Sequence, residues 1–438
     1  MSPAHNKKHE KDSDKYCGNL LLRLARRIDT NQEDAYLIGE ALKRLPKTSC
    51  KIAVEALFKA GSKATDAYPA FDIAVANQLK KSIDPELVLE LYNRIPKESL
   101  ALQKTGIEVC RQCAQIMRDQ NTIAQHPTGY IEVLNNYTGR LLLAWQIKEA
   151  NTNVDITFEF VSKHYEEDPQ RFYAHYIETL QNRAVIYSYL SKKELAIRDY
   201  EHAINVIRNH KEYPRRGLAR ILNNYAGMLF ATEQWDKALK NGSEAVAHYQ
   251  DIYEESGKVI ETQFSSGLES WVEDCRPELA DALIALSTYQ NKAGKHEEAL
   301  DSVTQAKKIF SDLNDYFPDQ FSRHLAMVHN NYAMCYSELK CPIKVREHLE
   351  KSLTIYKKLA TNHLLTIVGE YFHVFINLIR SKILDHDYEE ALIDYDELVK
   401  IYSQLPQDAL PSIERYIQSI LSLKNTLQIH YTNNGQLT

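Results

Sequence analysis

The chain has 438 residues, of which 44% are apolar and 26% charged, with a formal net charge of −6. Its 14 Gly and 13 Pro are too few for a collagen-like, low-complexity or turn-rich β chain, and favour long helices. The negative balance removes any global electrostatic case for nucleic acid, and no apolar run approaches the roughly 20 residues that cross a bilayer.

These limits lead to the expectation of a soluble, cytoplasmic, helix-rich protein with no membrane and no nucleic-acid partner. Residues 1–15 mix Lys, His, Asp and Glu without an apolar core. They read as a disordered tail and not as a signal peptide. Residues 16–125 read as an N-terminal α-helical domain. Its apolar stripes include Leu20, Leu21, Leu24 and Ala25, then Leu87 to Tyr92, then Ile107 to Met117. Cys110-Arg-Gln-Cys113 is the only CxxC among seven scattered cysteines. It has no second pair and no His at metal spacing, whereas a zinc site needs four ligands. It reads as two small residues on a buried helix face. No GxGxxG, GxxxxGK[ST], GxSxG or HExxH occurs. The expectation is no enzyme, no metal and no cofactor.

From residue 126 the chain repeats. The related stretches begin at Leu134, Leu180, Leu222, Leu283, His329 and Phe375, with steps of 46, 42, 61, 46 and 46 residues. Four of them carry a small residue (Ala184, Ala226, Ser287, Ala333) and, twelve residues on, Ala196, Ala238, Ala299 or Val345. The sixth pairs Ile379 with Ala391, and the first, degenerate copy (Leu134 to Thr138) shows no clean second alanine. Pro127, Pro169, Pro214, Pro277 and Pro318 precede the first five copies, as suits a helix start. Within the fourth copy Ala280, Leu283, Leu286 and Tyr289 share one helical face, and Ala299, Val303, Ala306 and Ile309 share another beyond Gly294. Each unit is therefore expected to be a helical hairpin, its small residues marking where the two helices approach closely.

Leu222-Asn-Asn-Tyr-Ala226 through Trp235-Asp-Lys-Ala238, with the twelve-residue spacing, resembles the tetratricopeptide repeat, in its long kinesin-light-chain type. The resemblance covers about residues 127–412. It implies an all-α fold, a right-handed α-α superhelix with the N-terminal helical domain attached. About six hairpins would fill residues 126–412, with an acidic insert near 254–275 that carries Phe264 and Trp271. Residues 413–438 would form a C-terminal capping helix.

The resemblance further implies a scaffold that binds a protein or peptide in a concave groove lined by the first helix of each hairpin. The residue two before the small position would face that groove: Asn136, Asn182, Asn224, Asn331 and Asn377, with Ala285 in the fourth copy. Asn223 and Asn330 add a second amide. Asparagine is a mediocre helix former, so its recurrence asks for a reason. Either these amides contact a peptide backbone or they bridge adjacent helices. Arg183, Arg220 and Arg380 could pair with acidic groups of a ligand. The alternative to a scaffold is a structural or regulatory subunit whose groove is filled by its own segments or by a second copy, as a homo-oligomer.

Overall fold

The computed structural model describes residues 85–95, 103–119, 121–263, 274–316, 321–405 and 410–433, together with residues 72, 76, 77, 79 and 80. Among these, every regular element is a helix. The readings made for residues 1–15, for the stripe at Leu20 to Ala25 and for Phe264 and Trp271 fall outside them.

The chain divides into two compact units, Met1–Tyr213 and Pro214–Thr438. The first contains α1 (Pro85–Arg94), α2 (Gln103–Asp119), α3 (Pro127–Leu143), α4 (Ile147–Glu167), α5 (Pro169–Tyr189) and α6 (Lys193–Asn209). The second contains α7 (Arg215–Ala231), α8 (Trp235–Gln263), α9 (Arg276–Lys292), α10 (His296–Tyr316), α11 (Ser322–Glu338), α12 (Pro342–Leu384), α13 (Tyr388–Ser403) and α14 (Leu410–Asn433). Consecutive helices pack as hairpins: α3 with α4, α5 with α6, α7 with α8, α9 with α10, and α11 with α12. First helices of neighbouring hairpins also touch, α3 with α5 in one unit, and α7 with α9 and α9 with α11 in the other. This is the hairpin stack that the resemblance implies. Helix α14 packs on α12 and α13.

Each hairpin is closed by one residue in the left-handed region: Trp145 (φ 57°), Ser191 (58°), Glu233 (62°), Gly294 (76°), Lys340 (57°) and His386 (63°). These fall at the same place in all six copies, eleven residues after the starts read from sequence. The hydrogen bonds repeat too. In the first copy the Trp145 N–H donates to the Leu142 carbonyl at 3.1 Å, and the Gln146 N–H to the Leu141 carbonyl at 2.9 Å. In the fifth, Lys340 donates to Ser337 at 3.0 Å and Cys341 to Tyr336 at 2.9 Å. This crossed pair satisfies carbonyls that a helix end leaves open. A side chain in this conformation costs about 1–2 kcal/mol, a cost glycine avoids, yet only the fourth copy has glycine.

The small residues are buried on the paired helices. Thr138, Ala184, Ala226, Ser287 and Ala333 are buried on the first helices, and Ala196, Ala238, Ala299 and Ala391 are fully buried on the second. The first copy is regular after all: Ala150 stands twelve residues after Thr138 and is fully buried. Ile379, where the pattern wants a small residue, is also fully buried and belongs to the C-terminal core. Close approach recurs between hairpins, where a Cβ on Gly242 would come within 2.8 Å of the Tyr289 ring.

Two elements depart from simple hairpins. Helix α8 continues through residues 254–263, so the first part of the insert is helical. Helix α12 has 43 residues, joining the second helix of the fifth copy to the first helix of the sixth. It is not straight. The rings of Tyr356 and Tyr371 lie 6.4 Å apart, whereas fifteen residues of straight helix span about 22 Å. Lys357 Nζ lies 5.3 Å from the Phe375 ring. The helix therefore bends sharply between Lys357 and Ile367, and the sixth copy folds against α13.

Ala226→Leu or Ala299→Leu is expected to destabilise the protein by roughly 1–3 kcal/mol through overpacking; an unchanged urea midpoint would refute the register. Lys340→Gly, which relieves the left-handed residue, should instead raise stability by about 1 kcal/mol, read as a higher Tm.

Candidate binding surfaces

The asparagines of the column lie on the first helices of their copies, and most of their amides are engaged inside the protein. Asn136 donates from Nδ2 to the Tyr92 hydroxyl at 2.5 Å. Asn182 donates to Asn135 Oδ1 at 3.3 Å, linking α5 to α3. Asn331 is buried. It donates to the Met327 carbonyl at 3.0 Å and accepts from the Thr288 hydroxyl at 3.3 Å, linking α11 to α9. Asn377 lies 3.1 Å from His373 Nε2. Asn224, half-buried on α7, has no hydrogen-bond partner among the described residues. Asn223 and Asn330 each keep a buried Oδ1 without a partner among the described residues, a feature that costs stability.

The three arginines differ. Arg183 is buried and makes a two-pronged ion pair with Asp199, Nε to Oδ2 at 2.6 Å and Nη2 to Oδ1 at 2.8 Å. Its guanidinium also lies 3.3 Å from the Phe158 ring centre. It ties α5 to α6, and its charge is already paired. Arg380 is exposed and donates to the Ser419 hydroxyl at 3.1 Å. Arg220 is exposed and has no ion pair or hydrogen bond among the described residues. Arg220 and Asn224 are four residues apart, so they share one face of α7.

An alternating set of charges on the first helices of the second unit escaped the sequence reading. Arg216 of α7 pairs with Glu278 of α9, its Nε donating at 3.0 Å. Arg323 of α11 pairs with Glu370 of α12. These residues stand ten or nine positions before the small residue of their copies, in the order Arg, Glu, Arg, Glu. That alternation was the available signal.

Asp281 of α9 lies among them. Burial, then the neighbouring Glu278, pushes its carboxyl up to about 7, against the pull of Arg323. His324, stacked 4.7 Å from Phe310, is pushed down to about 4 by burial and then by Arg323. Its Nδ1 is buried without a partner among the described residues.

In the first unit, Cys110 and Cys113 are buried thiols on α2, outside any disulfide. Burial, then Cys110, pushes Cys113 up to about 12, so the pair is packed as small apolar residues. A cavity of about 230 Å³ is lined by Lys80, Lys104, Glu108, Arg111 and Gln146, among others. Arg111 is engaged by Tyr137, Glu108 and Glu149. At the hairpin tips, Trp145 is 71% exposed and Tyr189 meets it edge-on at 5.3 Å. Among the described residues no group of three or more His, Cys, Asp or Glu could hold a metal ion, and no helix is long and apolar enough to cross a membrane.

No protein-family model matches the chain, and no curated protein matches it. Similar solved structures share little sequence. The apo form of RapI is 13% identical, covering 79% of this chain and 87% of its own, with a TM-score of 0.47. Acl4, an assembly chaperone of RpL4, is 15% identical over 70% of this chain and 98% of its own, with a TM-score of 0.45. A tetratricopeptide repeat protein from Parabacteroides merdae is 13% identical over 81% and 98%, with a TM-score of 0.41.

Asp281→Asn removes a carboxyl whose folded pKa lies above its unfolded value. The charged form therefore opposes folding above about pH 7, and the penalty fades as pH falls towards 4. The substitution should stabilise the protein at pH 8 by on the order of 2 kcal/mol. The gain should shrink on acidification, measured as urea midpoints at pH 8, 6 and 4.

Proposed function

We propose that the protein is a protein- or peptide-binding scaffold of the cytoplasm, reading its partner through the first helices of its hairpins. In the second unit the reading rests on one observation. Arg220 and Asn224 sit one turn apart on α7, exposed and half-buried, with unused hydrogen-bonding capacity. Adjacent α9 and α11 extend the same layer of first helices. An amide can accept and donate to an extended backbone, and a neighbouring guanidinium can take an acidic group of the partner. Asn377 and Arg380 repeat the pair on α12, three residues apart, with weaker claims because each already has a contact. In the first unit, Asn136, Asn182 and Arg183 serve chiefly to hold helices together. A partner there is better met by the exposed aromatics Trp145 and Tyr189, residue types that dominate protein contacts.

The test is a double variant, Arg220→Ala with Asn224→Ala, measured against a partner captured from cells and then purified. Two or three lost hydrogen bonds, one of them charged, should weaken binding by tenfold to a thousandfold, at 1.4 kcal/mol per decade. The Tm should be unchanged, since neither side chain is hydrogen-bonded or ion-paired among the described residues. Unchanged affinity would exclude α7 as the reading surface.

A further inference from the structure

On the other side of α11 from Asn331 lies a cluster with a different chemistry. His329 is two residues away, about 200° around the helix. Its Nδ1 is 2.9 Å from Nδ1 of His348 on α12, so the two imidazoles share one proton. The His348 ring stacks on Tyr332 at 4.6 Å and on Tyr336 at 5.4 Å. Tyr332 in turn donates to the Thr304 hydroxyl of α10 at 2.9 Å. Three exposed lysines stand around this aromatic floor, each from the helix nearest to it. Lys307 of α10 places its Nζ 6.0 Å from the Tyr332 ring, and Lys344 of α12 places its own 4.6 Å from the Tyr336 ring. Lys351 of α12 is 2.6 Å from Glu347, the carboxylate that acts on both histidines among the described residues.

We infer that this cluster is an oxyanion site fitted to a phosphoryl group, held by Lys307, Lys344 and Lys351 over the His329–His348 pair. Three ammonium groups against one carboxylate leave two positive charges unanswered, and a dianion answers both. Lysine serves phosphate as a mobile point charge, and three acceptor oxygens suit donors arriving from two helices and from an imidazole N–H of the pair. A metal ion, which two imidazoles could otherwise hold, is opposed by the same ammonium groups.

The histidines make the site sensitive to pH. Burial first, then His348, Lys307 and Lys351, hold His329 down to about 4, with Glu347 pulling the other way. His348 is lowered by burial and by Lys351, Lys307 and Lys344, again against Glu347. The empty site is therefore neutral at its imidazoles near pH 7. A bound dianion favours the imidazolium, so binding takes up a proton and strengthens as pH falls.

The experiment uses the full chain with labelled histidines, titrated at constant ionic strength and followed through the imidazole resonances by nuclear magnetic resonance. Sulfate is the first probe, because it stays dianionic throughout. Its binding should saturate, shift His329 and His348, and tighten about tenfold between pH 7 and pH 5, the gain from raising one imidazole by two pH units. Lys307→Met with Lys351→Met should weaken it at least tenfold with an unchanged circular dichroism spectrum, and Lys344→Met, at an exposed position, should weaken it as well. Inorganic phosphate and a phosphoserine peptide then separate the sources. Tighter binding of the peptide assigns the site to a phosphorylated partner, and equal or tighter binding of inorganic phosphate assigns it to the free ion. Shifts that fail to saturate, or an affinity indifferent to all three lysine substitutions, would overturn the site.

Discussion

The architecture depends on a tight turn. In every hairpin one residue takes the left-handed conformation, and two crossed hydrogen bonds hold it there. That turn fixes how the second helix leaves the first, and the small residues twelve apart are buried on the paired helices. The helices can approach only because those side chains are small. With the hairpins set, the first helices of neighbouring copies lie side by side within each unit. Five of the six turns bear the strain of a non-glycine residue, which persists because the surrounding packing over-determines it.

The polar groups on the first helices follow from that arrangement. Side chains facing a neighbouring copy become bridges, as with Asn182 to Asn135 and Thr288 to Asn331. Charges at the helix starts pair across copies in the second unit, Arg216 with Glu278 and Arg323 with Glu370. The first unit has Arg183 and Asp199 tying the two helices of one hairpin instead. The proposed contacts with a partner fall on groups without a bond inside the fold among the described residues, Arg220 and Asn224, and the proposed oxyanion site on the lysine-ringed histidines. Scaffolds of stacked repeats work by such leftovers, since the core is set by the small residues and the surface is free to vary.

Much of the fold could be read from the chain because its signals are local and periodic. Ala226 and Ala238 are twelve residues apart, and the starts of the helices follow prolines such as Pro169 and Pro277. The turn itself was legible only at Gly294; at Trp145 or Lys340 nothing in the residue type announces a left-handed backbone. Ala150 was overlooked because Thr138, a β-branched polar residue, disguises the first copy. The bend in α12 has no proline, and it shows only in contacts such as Tyr356 with Tyr371. The asparagines were visible as a column, but what each amide bonds was not, since the partners of Asn136, Asn182 and Asn331 stand 44, 47 and 43 residues away. The His329–His348 pair was invisible for the same reason: nineteen residues and a hairpin separate two rings that touch.

Within each unit the like turns set the register of the hairpins, and amide hydrogen exchange reads that constraint at the turns themselves. The second amide of each crossed pair, on Gln146, Lys192, Gln234, Lys295, Cys341 and Asp387, donates back to a helical carbonyl although it lies at an exposed hairpin tip. The account predicts that all six are protected together, at a level close to that of their own helices and far above an ordinary loop. Exchange at the rate of unprotected loop amides at these positions, with the helices themselves protected, would contradict it.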